Sequence, residues 1–149
     1  MSLSKNNQKI IFSLNELDRI INIIISKLKP GTIIALKGPM GSGKTTLSRN
    51  LLIALGVKDA ISSPTYSYLN RYKVKFKNKD TYINHLDLYR VNEESIEELG
   101  LLDYIFNDNE IVIIEWPDIL KLSNKDNIIF VELNYIDSNK REVIIDTYE

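Results

Sequence analysis

The chain has 149 residues, of which 44% are hydrophobic and 26% charged, and a formal net charge of -1 at pH 7. That length supports one domain with a sizeable core, and the slightly acidic balance argues against an autonomous nucleic-acid binder, which carries a basic footprint. With no cysteine and one histidine, disulfides and thiolate metal sites are excluded and a zinc centre has no ligand set.

No run nears the roughly 18 apolar residues of a membrane span. The start MSLSKNNQKI lacks the apolar core of a signal peptide. The expectation is a soluble, cytoplasmic protein with a single domain over 1–149 and no membrane contact.

In chain order, KIIF (9–12) is a strand candidate. Ser13-Leu14-Asn15-Glu16 has capping-box spacing. The residues after it carry apolar positions at helical intervals to near Leu28, where Pro30-Gly31 turns the chain. TIIAL (32–36) has the look of a strand buried on both faces. A glycine-rich turn follows, then a helix from about Lys44 to Leu55, with Gly56 placed to end it.

Ser63-Pro64-Thr65 opens a loop, and TYSYLNRYKVKF and TYINHLDLYR flank KNKD as the arms of a β-hairpin. Lys73, Lys75 and Lys77 are expected on one face of it, with Val74 and Phe76 on the other. EESIEELGLLDYI is an acidic helix interrupted near Gly100, IVIIE (111–115) a second buried strand, and NIIFVEL (127–133) and REVIIDTY (141–148) late strands around YIDSNK. The order predicts an α/β fold with a mixed sheet.

Gly38-Pro39-Met40-Gly41-Ser42-Gly43-Lys44-Thr45 matches G-x-x-x-x-G-K-[ST] at every fixed position. Backbone N–H groups in such a loop must converge on phosphate oxygens, and glycines permit that path. The following helix aims its positive end at the same anion. In this reading Lys44 reaches the β- and γ-phosphates and Thr45 ligates Mg²⁺. Chance produces the pattern about once in a few hundred chains of this length, and a buried strand before it with a helix after it makes a mere glycine-rich turn the poorer reading.

Such a loop needs an acid for the metal or its water, and a group to orient the nucleophile. IVIIE ends in Glu115, and the uniform apolar run before it points to an inward acid. INHLDLYR (83–90) alternates like a strand, which sets His85, Asp87 and Tyr89 on one face and Leu86 and Leu88 on the other. Alternation alone leaves Asp87 evenly between a solvent-facing polar residue and half of a reaction site. His85 reads as hydrogen-bonded structure. Trp116 reads as packing, or as a ring stacked on a base or sealing the site.

GPMGSGKTTL, SPTYSYLNRY, HLDLYR, EELGL and IIEW occur in that order. In this the chain, from about Ser13 to Arg141, resembles the TsaE (YjeE) family, small bacterial P-loop ATPases needed to make threonylcarbamoyladenosine in tRNA. The resemblance implies a three-layer α/β, P-loop NTPase-like fold with a mixed central sheet and a β-hairpin. It implies binding of ATP with Mg²⁺ and slow hydrolysis, activated by assembly with the TsaB and TsaD proteins. TsaD transfers the threonylcarbamoyl group to adenosine 37 of tRNA, so tRNA is met only through the complex, and ATP hydrolysis resets that complex.

By the same resemblance Lys44 is the phosphate lysine, Thr45 and Glu115 are the Mg²⁺ ligands, and Asp87 is the essential acid. Thr46 continues the loop's nucleotide contacts. Thr65 lies in a switch-like loop near the γ-phosphate, Trp116 lies by the nucleotide, Ser13 near the base, and Arg141 matches a late arginine. Pro39 and Ser42 stand where relatives commonly have an acidic or polar residue and an alanine.

Two other readings of the loop are a small-molecule kinase and a nucleotide-binding module without turnover. A kinase closes an arginine-bearing lid, whereas Arg19, Arg49, Arg71, Arg90 and Arg141 are scattered along the chain. A GTPase reading fails on the spacing of Asn124-Lys125-Asp126-Asn127. The lysine face of the hairpin guards an exposed strand edge, or alternatively meets tRNA phosphates or an acidic partner surface.

Overall fold

A computed structural model describes residues 3–58, 61 and 68–149. Their strands form a seven-stranded mixed sheet in the order β1-β7-β6-β2-β5-β4-β3. These strands are β1 (Lys5–Ser13), β2 (Ile33–Lys37), β3 (Leu69–Phe76), β4 (Lys79–Asp87), β5 (Ile111–Glu115), β6 (Ile128–Tyr135) and β7 (Lys140–Tyr148). β2 runs parallel to β5 and β6, and β4 runs parallel to β5. β1–β7, β6–β7 and β3–β4 are antiparallel.

Helices cover both faces. Ile34, Leu36 and Ile113 of the central strands meet Ile20, Ile21 and Ile24 of α1 (Leu17–Ile25) and Leu47, Leu51 and Leu52 of α2 (Lys44–Ala54). On the other face Ile33, Ala35, Val112 and Ile114 meet Ile96 of α3 (Glu93–Glu98) and Ile105 of α4 (Leu102–Ile105). The central strands are apolar at successive positions because both faces are covered. This is the mixed-sheet α/β fold expected from the order of elements, in the three-layer form that the family resemblance implies. Among the described residues no helix is long and apolar enough to cross a membrane.

Two sequence expectations for the hairpin are corrected. The turn is not the four residues KNKD but Lys77 and Asn78 alone, both with positive φ (51° and 65°), and Lys79 and Asp80 already pair with Phe76 and Lys75. Two successive left-handed residues give the turn the twist that suits a two-residue hairpin. Lys77 therefore leaves the face of Lys73 and Lys75, and its Nζ donates to the Leu28 carbonyl at 3.3 Å. Lys73 and Lys75 remain exposed on the edge strand, while Tyr72 and Val74 are buried.

Tyr89 likewise falls beyond the end of β4. The acidic helix is broken where expected: Gly100 (φ +68°) separates α3 from α4.

Candidate active site

β2 delivers the chain to the glycine-rich loop, and α2 begins at Lys44, directly after it. Gly38 cannot carry a side chain: an added Cβ would stand 2.3 Å from the Leu133 carbonyl oxygen and 2.7 Å from Ser42 Oγ. Gly43, with φ +106°, makes the left-handed turn into α2, a conformation that a Cβ disfavours. The first N–H groups of α2 point into the loop and give it the positive end of the helix.

Lys44 is 5% exposed. Its ammonium donates to the carbonyls of Gly38 and Pro39, and lies 4.0 Å from the centroid of the Trp116 ring. Burial pushes its pKa below the usual lysine value, opposed by the negative charges of Glu115 and Asp87.

The next residue, Thr45, donates its hydroxyl to Glu115 Oε1 at 3.0 Å. Glu115 ends β5 and is 2% exposed, so the inward orientation read from IVIIE is what the fold contains. Its second oxygen, Oε2, lies 2.7 Å from His85 Nε2.

β4 sets Asp87 in register with Glu115 on the neighbouring strand. Ile83 of the same strand is in the core beneath α1 and α2, so by alternation His85 and Asp87 share that face, His85 buried and Asp87 half-buried at the cleft. Asp87 Oδ1 accepts the Tyr89 N–H at 3.0 Å. Burial raises the Asp87 pKa above the ordinary aspartate value. The Tyr89 N–H opposes that rise, the Glu115 charge adds to it, and His85 and Lys44 oppose it.

Trp116 follows Glu115 with φ 58° and ψ 60°, a left-handed conformation that is strained for a bulky residue. Its backbone N–H donates to the Leu36 carbonyl at 3.3 Å, and its ring centroid is 4.9 Å from that of Tyr89.

These residues line a cleft of about 420 Å³ formed by Met40, Gly41, Gly43, Lys44, Thr45 and Thr46 on the loop side and by Asp87, Tyr89, Glu115, Trp116 and Arg141 around them. Arg141, on β7, donates Nε to the Ser42 carbonyl at 3.1 Å, which ties the loop to the far half of the sheet.

Gly38, Pro39 and Ser42 belong to the loop but not to the lining of the cleft. Ser13 stands apart from the cleft lining: it pairs with Lys140 at the end of β1, and its N–H donates to Glu16 at 2.9 Å. Thr65 lies outside the described residues. Tyr89, not among the expected site residues, also lines the cleft. Its signal was its place two residues after Asp87.

A hydroxyl and a carboxylate at one point are hard oxygen donors, the set that suits Mg²⁺. Among the described residues no cluster of three or more His, Cys, Asp or Glu side chains could hold a metal. Thr45 and Glu115 could hold such a cation, which would draw its remaining oxygens from water and phosphate.

A phosphate-type loop between a parallel strand and a helix, with acids at the ends of two adjacent strands, makes this a P-loop NTPase-like protein. The crystal structure of Bacillus subtilis YdiB shares the fold, with a TM-score of 0.68 at 18% identity over 99% of this chain and 88% of that one.

The family model described as threonylcarbamoyl adenosine biosynthesis protein TsaE matches residues 11–143. Curated relatives carrying the name tRNA threonylcarbamoyladenosine biosynthesis protein TsaE include those of Rickettsia conorii and Rickettsia bellii. The first is 34% identical over 128 residues, 85% of this chain and 70% of the relative. The second is 34% identical over 138 residues, 91% of this chain and 92% of the relative. The chain belongs to the TsaE family of threonylcarbamoyl adenosine biosynthesis proteins.

Proposed function

We propose that this chain is a Mg²⁺-dependent ATPase of the tRNA threonylcarbamoyladenosine machinery, slow alone and activated by TsaB and TsaD, whose turnover resets the TsaB–TsaD complex. The observation that carries the reading is the contact between Thr45 Oγ1 and Glu115 Oε1 at 3.0 Å. It joins the last residue of the phosphate loop to the acid at the end of the adjacent strand, the pair that holds the metal in P-loop enzymes.

In this reading the loop amides and Lys44 bind the phosphates, Thr45 and Glu115 hold the cation, and Asp87 orients the attacking water or takes its proton. Mg²⁺ supplies charge that offsets what develops on the β- and γ-phosphate oxygens. Lys44 leaves the Gly38 and Pro39 carbonyls to reach a phosphate, exchanging neutral acceptors for a charged one, which strengthens the bonds it donates. Trp116 and Tyr89 wall the cleft and limit water entry. Arg141 keeps the loop seated. Ser13 and Thr65 take their places by family resemblance, toward the base and the γ-phosphate.

Phosphate release from ATP by the purified chain, measured with and without TsaB–TsaD, tests the reading. The expected result is weak basal hydrolysis that the partners raise, with water as the acceptor. Transfer of the phosphate to a small-molecule acceptor would make it a kinase, and nucleotide binding with no turnover beside the partners would make it a binding module.

A further inference from the structure

The buried pair of His85 and the cleft-lining Glu115 has a role that the phosphate loop does not explain. His85 and Glu115 are each 2% exposed. His85 Nε2 lies 2.7 Å from Glu115 Oε2, and Glu115 Oε1 accepts the Thr45 hydroxyl at 3.0 Å. The other ring nitrogen, Nδ1, is buried and has no hydrogen-bond partner among the described residues.

A carboxylate only accepts, so the proton of this bond sits on Nε2. The ring is therefore a donor at one end, fixed in place by β4 and the core around it.

We infer that His85 is a positioning residue for Glu115: it commits Oε2 to the interior and leaves Oε1 as the single carboxylate oxygen presented beside Thr45 to a divalent cation. This rests on the reading of Thr45 and Glu115 as the cation's side-chain ligands. Hydrogen bonds of this kind orient a ligating carboxylate, and their loss typically costs 10–100-fold in metal affinity. A merely structural His85 would affect unfolding and leave cation affinity alone.

The test measures Mn²⁺ affinity of the whole chain loaded with adenosine 5′-(β,γ-imido)triphosphate, beside metal-free affinity for that nucleotide. His85→Phe keeps the ring volume and removes the donor, while His85→Gln restores a donor near the Nε2 position. The expected result is Mn²⁺ binding weakened about 10–100-fold in His85→Phe, largely recovered in His85→Gln, and unchanged metal-free nucleotide affinity in both. Wild-type Mn²⁺ affinity in His85→Phe, or no recovery in His85→Gln, overturns the inference.

Should His85→Phe not fold, the wild-type chain decides the matter, since its single histidine gives one set of imidazole ¹⁵N signals. These should show Nε2 protonated and shift when Mg²⁺ joins the nucleotide-loaded protein. Signals indifferent to Mg²⁺ overturn the inference. Failure of the wild-type chain to bind the nucleotide at all is a separate result: it removes the ATPase reading and this inference together.

Discussion

Asp87 and Glu115 are register partners on adjacent parallel strands, so two acids far apart in the sequence end at one level beside the phosphate loop. Their surroundings differ. Glu115 is buried and bonded through both oxygens, to Thr45 and His85. Asp87 opens on the cleft and is held by one backbone N–H from Tyr89. In the proposed function that asymmetry makes Glu115 the fixed metal ligand and Asp87 the acid that meets water.

The first prediction concerns pH and stability. Burial, reinforced by the Glu115 charge, raises the Asp87 pKa. A carboxyl raised in the folded state contributes stability that is fully present below its unfolded value and is lost as pH rises through its folded value. Above its raised folded value the ionised Asp87 is therefore a cost to folding. Asp87→Asn is expected to melt at the same temperature as wild type or higher at pH 7, with the difference closing as pH falls through the raised folded value and gone below the ordinary 3.8. Thermal melts across pH check this; a lower melting temperature for the variant at pH 7 contradicts it.

The second uses the single tryptophan. Lys44 Nζ sits 4.0 Å from the centre of the Trp116 ring, so a phosphate that draws Lys44 away changes the indole's surroundings. Wild-type emission should change on titration with ATP. Lys44→Ala should lose the change and weaken binding by about 10–100-fold, the worth of a charged hydrogen bond. Emission indifferent to bound nucleotide contradicts the placement.

The third concerns the frame. Leu52 of α2 is fully buried, and Leu52→Ala should lower stability by about 2–5 kcal/mol in urea unfolding. Lys121 holds a left-handed conformation, φ 49° and ψ 49°, which costs an L-residue about 1–2 kcal/mol. Lys121→Gly should therefore stabilise the chain, less the greater entropy that glycine loses on folding. A destabilised Lys121→Gly contradicts the strain.

Much of this was legible in the sequence, for physical reasons. The central strands declared themselves because burial on both faces demands unbroken apolar runs, as in TIIAL and IVIIE. The loop declared itself because its glycines and lysine are fixed by the geometry of phosphate binding. Lys77 was misplaced because alternation holds only while a strand continues, and the chain had already turned. The His85–Glu115 bond was hidden because strand adjacency, not sequence spacing, brings those residues together. The clasp of Arg141 on the Ser42 carbonyl was hidden for the same reason, since β7 reaches the loop only through the order of the sheet.

The most direct measurement is turnover by Asp87→Asn beside wild type, with TsaB–TsaD present and Mg²⁺·ATP affinity measured in parallel. Removal of the group that orients or deprotonates the nucleophile should leave that affinity near wild type and cut partner-stimulated hydrolysis by about 10²–10⁴-fold. An Asp87→Asn chain that binds Mg²⁺·ATP normally and turns over at the wild-type rate with its partners would contradict the assignment of Asp87 to the reaction.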